Sequence, residues 1–184
     1  MTALDLLYHY YPDDNALRKL LLHHSKQVET KALSCLAKHP ELSLNRQIVS
    51  DGAMLHDIGI FQTDAPGIHC HGTEHYLLHG VFGAALMRTQ GREDMARICE
   101  RHTGTGLRAA VFEKRHLPIP TQLQDNPDAF MPETLEEQLV CYADKFFSKS
   151  RPEAEKSYEQ VLHSLQKFGD EGATRFAEWH KLFG

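Results

Sequence analysis

Long apolar runs are missing from this chain, as are a linker and any low-complexity stretch. No segment approaches the roughly 20 apolar residues that a membrane helix needs. The start Met1-Thr2-Ala3-Leu4-Asp5 shows no signal-peptide pattern. A membrane partner is therefore not expected, and the cytoplasm is the expected location. Cysteine is sparse and unpatterned: Cys35, Cys70, Cys99 and Cys141 form no Cys-x-x-Cys spacing. Three of them lie beside apolar residues at helical spacing, so reduced core thiols are expected and a cysteine nucleophile is not. An excess of basic charge is also lacking. With a net charge of −5 and a pI near 6.2, the chain argues against a surface that coats nucleic acid. The expectation is a small-molecule partner and no nucleic acid. Alternating strand-like runs are absent as well, which points to an all-α fold.

The apolar spacing predicts helices over about 3–10, 14–38, 44–57, 79–90, 93–102, 107–114, 132–148, 152–167 and 172–182. Prolines at 12, 40, 66, 118, 120, 127 and 132 fall between these segments or at their starts, where a missing N–H does least harm. At 184 residues the chain is read as one domain, 1–184, long enough to bury a core. The stripe Tyr158, Val161, Leu162, Leu165 and Phe168 reads as packing against that core.

Histidines on apolar stripes carry the chemistry. Leu17, Leu20, Leu21, His24 and Val28 share one helical face, and His23 projects about 100° away from it. Ile48, Gly52, Leu55 and His56 share another; Asp57 follows, and Gly59 is placed to close the helix as a left-handed cap. His79 aligns with Phe82, Gly83 and Leu86, His102 with Met95, Ile98 and Cys99, and Asp144 with Val140 and Phe147. A single histidine on such a stripe is more often core than ligand. Five separate helices with the same placement, two of them adding a carboxylate, make independent core explanations progressively poorer. Buried carboxylates need compensation, and a divalent cation supplies it for His and Asp together. A donor set of imidazole and carboxylate without thiolate suits Fe, Mn, Co, Ni or Zn, one or two ions, better than Mg or Ca, with Fe or Mn first.

The order His, His-Asp, His, His, Asp with the text His56-Asp57-Ile58-Gly59 resembles the HD-domain (HDIG) superfamily of metal-dependent phosphohydrolases. That resemblance runs from about His24 to Asp144 and implies a helical HD bundle, with a metal-binding core of about 17–148 and packing helices of about 152–183. It implies one metal on His24, His56, Asp57 and Asp144, and a second on His79 and His102 with Asp57 bridging. Leu77-Leu78-His79-Gly80-Val81-Phe82-Gly83-Ala84 and Arg101-His102-Thr103-Gly104 are similar to segments of HD-type symmetrical diadenosine tetraphosphate hydrolases. The stretch Leu107 to Thr134 departs from them toward small HDIG proteins of unassigned substrate.

The expected activity is a metal-dependent phosphohydrolase acting on a nucleotide or related phosphate compound, diadenosine tetraphosphate first, through a metal-activated hydroxide. Asp57 and Lys145 are the expected catalytic residues. Arg101, Thr103 and Lys145 are the candidate phosphate contacts, with the Thr103 to Gly106 backbone N–H groups beside them. Two rivals stand next to this reading: an HD-type di-iron oxygenase, and a regulatory module whose metal is purely structural. The loop His69-Cys70-His71 with Glu74 and His75 reads as structural, with adventitious metal binding or lining of the site entrance as alternatives. A homodimer stays open.

Overall fold

The computed structural model describes all 184 residues. Its ten helices are α1 (Ala3–Tyr10), α2 (Ala16–Lys38), α3 (Arg46–Leu55), α4 (His79–Thr89), α5 (Glu93–Arg101), α6 (Ala109–Glu113), α7 (Thr121–Asp125), α8 (Leu135–Asp144), α9 (Tyr158–Gln166) and α10 (Asp170–Phe183). The central element is α3, which packs against α1, α2, α5 and α8. Its environment explains the small residue in mid-helix: a Cβ on Gly52 would lie 2.4 Å from the Ile98 side chain and 3.4 Å from Val140. The α4 and α5 helices pack together along their length, and a Cβ on Gly80 would stand 2.4 Å from the Cys99 carbonyl oxygen. Such a contact has no flexible partner to yield, so glycine is required there.

Side chains at the helix starts set the boundaries. Thr2, Asn15, Asn45, Thr134 and Ser157 each accept a backbone N–H in the first turn, satisfying donors that have no partner within the helix. Glu137 does more than return the Thr134 cap. It also receives Arg97 Nε at 2.7 Å and Arg101 Nη1 at 3.2 Å, tying α5 to the start of α8. Arg88 binds buried Glu100 through two 3.0 Å bonds on the α4 side of α5. The helix that carries His102 at its end is thereby held from both flanks.

The large core runs from Ala3 and Leu6 through Leu21, Leu55, Ile58 and Met95 to Phe176, Trp179 and Phe183. The α10 helix reaches α8, α9 and α2, with Phe176 stacked on Tyr142 and Tyr158. A smaller cluster of Leu78, Leu107, Phe112, Leu123 and Phe130 supports the segment between α5 and α8.

The structure departs from the sequence reading in several places: α7 (Thr121–Asp125) is a helix the spacing does not predict, and α8 spans Leu135–Asp144 where about 132–148 is expected. Short strands β1 (Thr63–Ala65), β2 (Cys70–His71) and β3 (Glu74–His75) form a sheet ordered β2-β1-β3, antiparallel on one side and parallel on the other. Strands of two or three residues are too short to show alternation. Gly59 is right-handed, at φ −88° and ψ −1°. Its glycine is demanded by space, since a Cβ would meet the His79 carbonyl oxygen at 2.3 Å and the Gly83 nitrogen at 2.4 Å. Lastly, α9 begins only at Tyr158, behind its Ser157 capping box. No helix is long and apolar enough to cross a membrane, and all four cysteines are free and buried.

Candidate metal centre

The α3 helix ends at Leu55, so His56 and Asp57 leave it together and face the middle of the bundle. The chain after them is held by Tyr11, whose hydroxyl donates to the Ile58 carbonyl at 2.8 Å and accepts from Phe61 N–H at 3.3 Å. His24 comes from the middle of α2, His79 from the first position of α4, His102 from the residue after α5, and Asp144 from the last position of α8. All six side chains are buried.

Their geometry brings together two adjacent groups of donors, each able to hold a cation, that share one carboxylate. His24 Nε2 lies 3.2 Å and His56 Nε2 3.0 Å from Asp57 Oδ2, and the same two nitrogens lie 3.0 and 3.5 Å from Asp144 Oδ1. On the other side, His79 Nε2 and His102 Nε2 lie 3.3 and 3.4 Å from Asp57 Oδ1. The candidate ligand groups divide accordingly into His24, His56, Asp57 and Asp144, and Asp57, His79 and His102.

The donor set fits a cation on its own chemistry. His56, His79 and His102 each place Nδ1 2.6 to 2.8 Å from a carbonyl three residues back, on Ala53, Tyr76 and Cys99. A carbonyl only accepts, so each Nδ1 carries the proton and each neutral ring turns a lone pair inward on Nε2. The lone pairs of His79 and His102 face one another with Nε2 atoms 3.0 Å apart, and that of His56 faces His24 Nε2 at 3.3 Å. Neither oxygen of Asp57 accepts a hydrogen bond, although the Lys149 ammonium pairs with Oδ2. Buried acceptors facing acceptors are repulsive unless a positive charge stands between them.

Electrostatics agree for most of the set. Burial pushes His79 down to about 3 and also lowers His102, leaving both as neutral donors. Burial alone would raise the carboxyls, but Lys149 and His56 hold Asp57, and Lys145 with His24 and His56 hold Asp144, well below the usual carboxylate range. Burial opposes a charge on His56 too, yet Asp57 and Asp144 outweigh it and lift this imidazole to about 9. Without metal, a proton takes the cation's part there.

Of the residues expected to meet phosphate, Lys145 is nearest the ligands. Its Nζ binds Asp144 Oδ2 at 2.6 Å and the His102 carbonyl at 3.1 Å, leaving Asp144 Oδ1 for the cage. Arg101 is buried and committed to Glu133 and Glu137, at 3.0 and 3.2 Å, so it does not join the cluster. Thr103 is half-buried and its carbonyl accepts Gly106 N–H. The loop histidines form no candidate metal group: His69, His71 and His75 are exposed, as is Glu74, with His71 and His75 on either side of Asp64 in the small sheet. Sequence reasoning missed Lys149. Its Nζ lies 2.5 Å from Asp57 Oδ2 and 3.4 Å from His24 Nε2, five residues past Asp144 and beyond the helix, where no periodicity marks it.

The family model described as HD domain matches residues 21–148, well over half of the chain. The chain belongs to the HD domain family. It is 34% identical over 182 residues to a protein of Thermoplasma volcanium named tRNA (cytidine(56)-2'-O)-methyltransferase, covering 98% of this chain and 45% of that one. A Picrophilus torridus protein of the same name is 28% identical over 149 residues, covering 77% of this chain and 38% of its own. An uncharacterized protein of Methanocaldococcus jannaschii is 34% identical over 135 residues, covering 71% of this chain and 69% of that protein. No solved structure matches. The chain thus spans less than half the length of the two relatives named as methyltransferases.

These names correct two expectations. The activity expected from the ligand pattern, hydrolysis of a phosphate compound such as diadenosine tetraphosphate, is not the one these HD relatives are named for, which is methyl transfer. The physical reason is that a His/Asp cluster speaks only to what it can hold, while the reaction depends on what is brought to it. The expected absence of a nucleic-acid partner is corrected as well, because both relatives are named for a tRNA. Net charge is a whole-chain sum and does not describe a local surface.

Proposed function

We propose that this HD chain is the metal-dependent part of a tRNA-modifying enzyme, holding a divalent metal pair and engaging tRNA in support of 2'-O-methylation of a cytidine ribose. The observation that supports the reading is the similarity of nearly all of this chain to less than half of the Thermoplasma volcanium protein named as a methyltransferase. His24, His56, Asp57 and Asp144 would hold one ion, and Asp57, His79 and His102 the other. A divalent ion in such a cage supplies Lewis acidity toward a substrate oxygen. Asp57 offers one oxygen to each cage, and Lys145 fixes Asp144 by occupying its second oxygen, which makes Lys145 a positioning residue. The Nδ1 contacts to backbone carbonyls hold three imidazole rings in their metal-facing tautomer.

Exposed Lys114, Arg115 and His116 form a basic stretch without a carboxylate partner, suited to a phosphate backbone despite the negative total. The test is saturable binding of an unmodified tRNA transcript to protein loaded with Mn(II) or Fe(II), with methyl incorporation from S-adenosylmethionine at the cytidine ribose followed alongside. The expected result is tRNA binding that weakens with salt and with charge removal at Lys114 and Arg115. Failure to bind tRNA or to promote methyl incorporation would overturn the proposal.

A further inference from the structure

Beside the centre lies a cavity of about 450 Å³, within the size range of small-molecule sites. Its lining includes Tyr76, Asp144, Phe147, Ser148, Lys149 and Ser150, with the turn at Pro66 to Ile68 opposite. Lys149 is the one cationic residue in that lining, and its charge is turned inward. Its Nζ stands against Asp57 Oδ2 at 2.5 Å and against His24 Nε2 at 3.4 Å. These are two donor atoms of the first cage, themselves 3.2 Å apart. A transition-metal ion held by both would lie roughly 2.0–2.2 Å from each, within about 4 Å of the ammonium. Two positive charges that close to Asp57 Oδ2 repel, so the ammonium and a metal compete for this carboxylate.

We propose that Lys149 is an exchangeable internal cation: it neutralises Asp57 in the metal-free protein, is displaced by the metal, and then serves as the phosphate-binding residue of the cavity. The inference rests on the divalent-metal reading of the centre. The chain can perform the exchange because Lys149 follows α8 in a turn, on a flexible four-carbon stem. Its surroundings suit both positions. The Tyr76 ring centroid is 6.0 Å from Nζ along the way to the cavity, and Ser148 and Ser150 hydroxyls, 2.9 Å apart, offer donors to the same anion. Asp144 needs no help from Lys149, since Lys145 is already bound to it. Metal loading then does two things in one movement: it fills the cage and releases a positive charge into a cavity otherwise lined by neutral groups and one acid. The phosphate that meets it belongs to a free nucleotide or to the RNA backbone.

The test compares wild type with Lys149→Met by calorimetric titration of metal-free protein with Mn(II), followed by titration of the loaded proteins with inorganic phosphate. The two readouts are expected to move in opposite directions. Mn(II) should bind about tenfold tighter to the variant, which has lost the competing cation. Phosphate should bind its loaded form about tenfold more weakly, for lack of a charged donor. A lysine that merely stabilises the fold would leave the phosphate constant unchanged, and that result, or unchanged Mn(II) affinity, overturns the proposal. Displacement of phosphate from wild type by AMP or by a tRNA transcript is expected, the more effective competitor identifying the source; displacement by neither also overturns it. If Lys149→Met does not fold without metal, Lys149→Gln keeps a neutral donor and answers the same question. Wild type that binds no divalent ion would instead sink the metal-centre reading itself, a failure visible before any variant is compared.

Discussion

The two cages of the centre share Asp57 but are not alike. The cage of His24, His56 and Asp144 has two carboxylates and is flanked by Lys145 and Lys149, while that of His79 and His102 draws on Asp57 Oδ1. An ion in the first meets twice the formal negative charge of an ion in the second, in an interior where charge is weakly screened. Two sites built from one carboxylate should therefore load in sequence, the carboxylate-rich one first. The difference teaches that the two sites are separated by formal charge as well as by ligand count, and that the lysines flanking the first offset part of its advantage in the metal-free protein.

The strongest way to break the comparison is to remove what the cages share. Asp57→Ala should weaken metal binding in both by more than about 100-fold, read by elemental analysis after dialysis. An ion retained at full occupancy would show that the carboxylate does not bridge. The next change separates the cages. His79→Ala should abolish the second binding event in a calorimetric titration while leaving the first within about tenfold of wild type; loss of both events would mean the pair assembles only as a unit.

A subtler change works through the backbone. Gly59→Ala should cost about 1–3 kcal/mol of stability, because its Cβ would strike the His79 carbonyl and Gly83. Thermal melting reads the loss, and the second binding event should suffer more than the first, since α4 is the helix pushed away. The smallest effect is one of pH. His56, lifted to about 9 in the metal-free fold, adds stability that is fully present below about 6.5 and is lost as pH rises through about 9. A divalent ion takes the place of that proton, so the gain in melting temperature on adding metal should grow from pH 6.5 to 9. A gain that shrinks over this window would contradict the exchange of proton for metal.

Much of this was legible because it is periodic. His24, His79 and His102 each occur on an apolar stripe, and the helices that carry them begin or end within a few residues of the spacing estimate. The text His56-Asp57-Ile58-Gly59 marks a helix end that the structure also has. What escaped has no period. Lys149 lies in a turn between serines and gains meaning only from a three-dimensional approach to Asp57. Arg101 looked available from its place beside His102, but its partners Glu133 and Glu137 are more than thirty residues away in sequence. Gly59 was correctly singled out for the wrong reason: its requirement is clearance against α4 and not a left-handed turn. The reaction and the tRNA for which two relatives are named were not legible either, since a metal-ligand pattern says nothing of what is brought to it.

The single tryptophan of the chain, Trp179, is buried on the core side of α10. Its indole emission is therefore a built-in reporter for the C-terminal helix pair, whereas the histidine cluster is dark in the same channel. Unfolding followed by fluorescence watches the undocking of α10, and unfolding followed by circular dichroism watches the whole bundle. Coincident curves would mean that the two ends of the molecule melt as one cooperative body; curves that part would time the release of the terminal helices against the collapse of the centre.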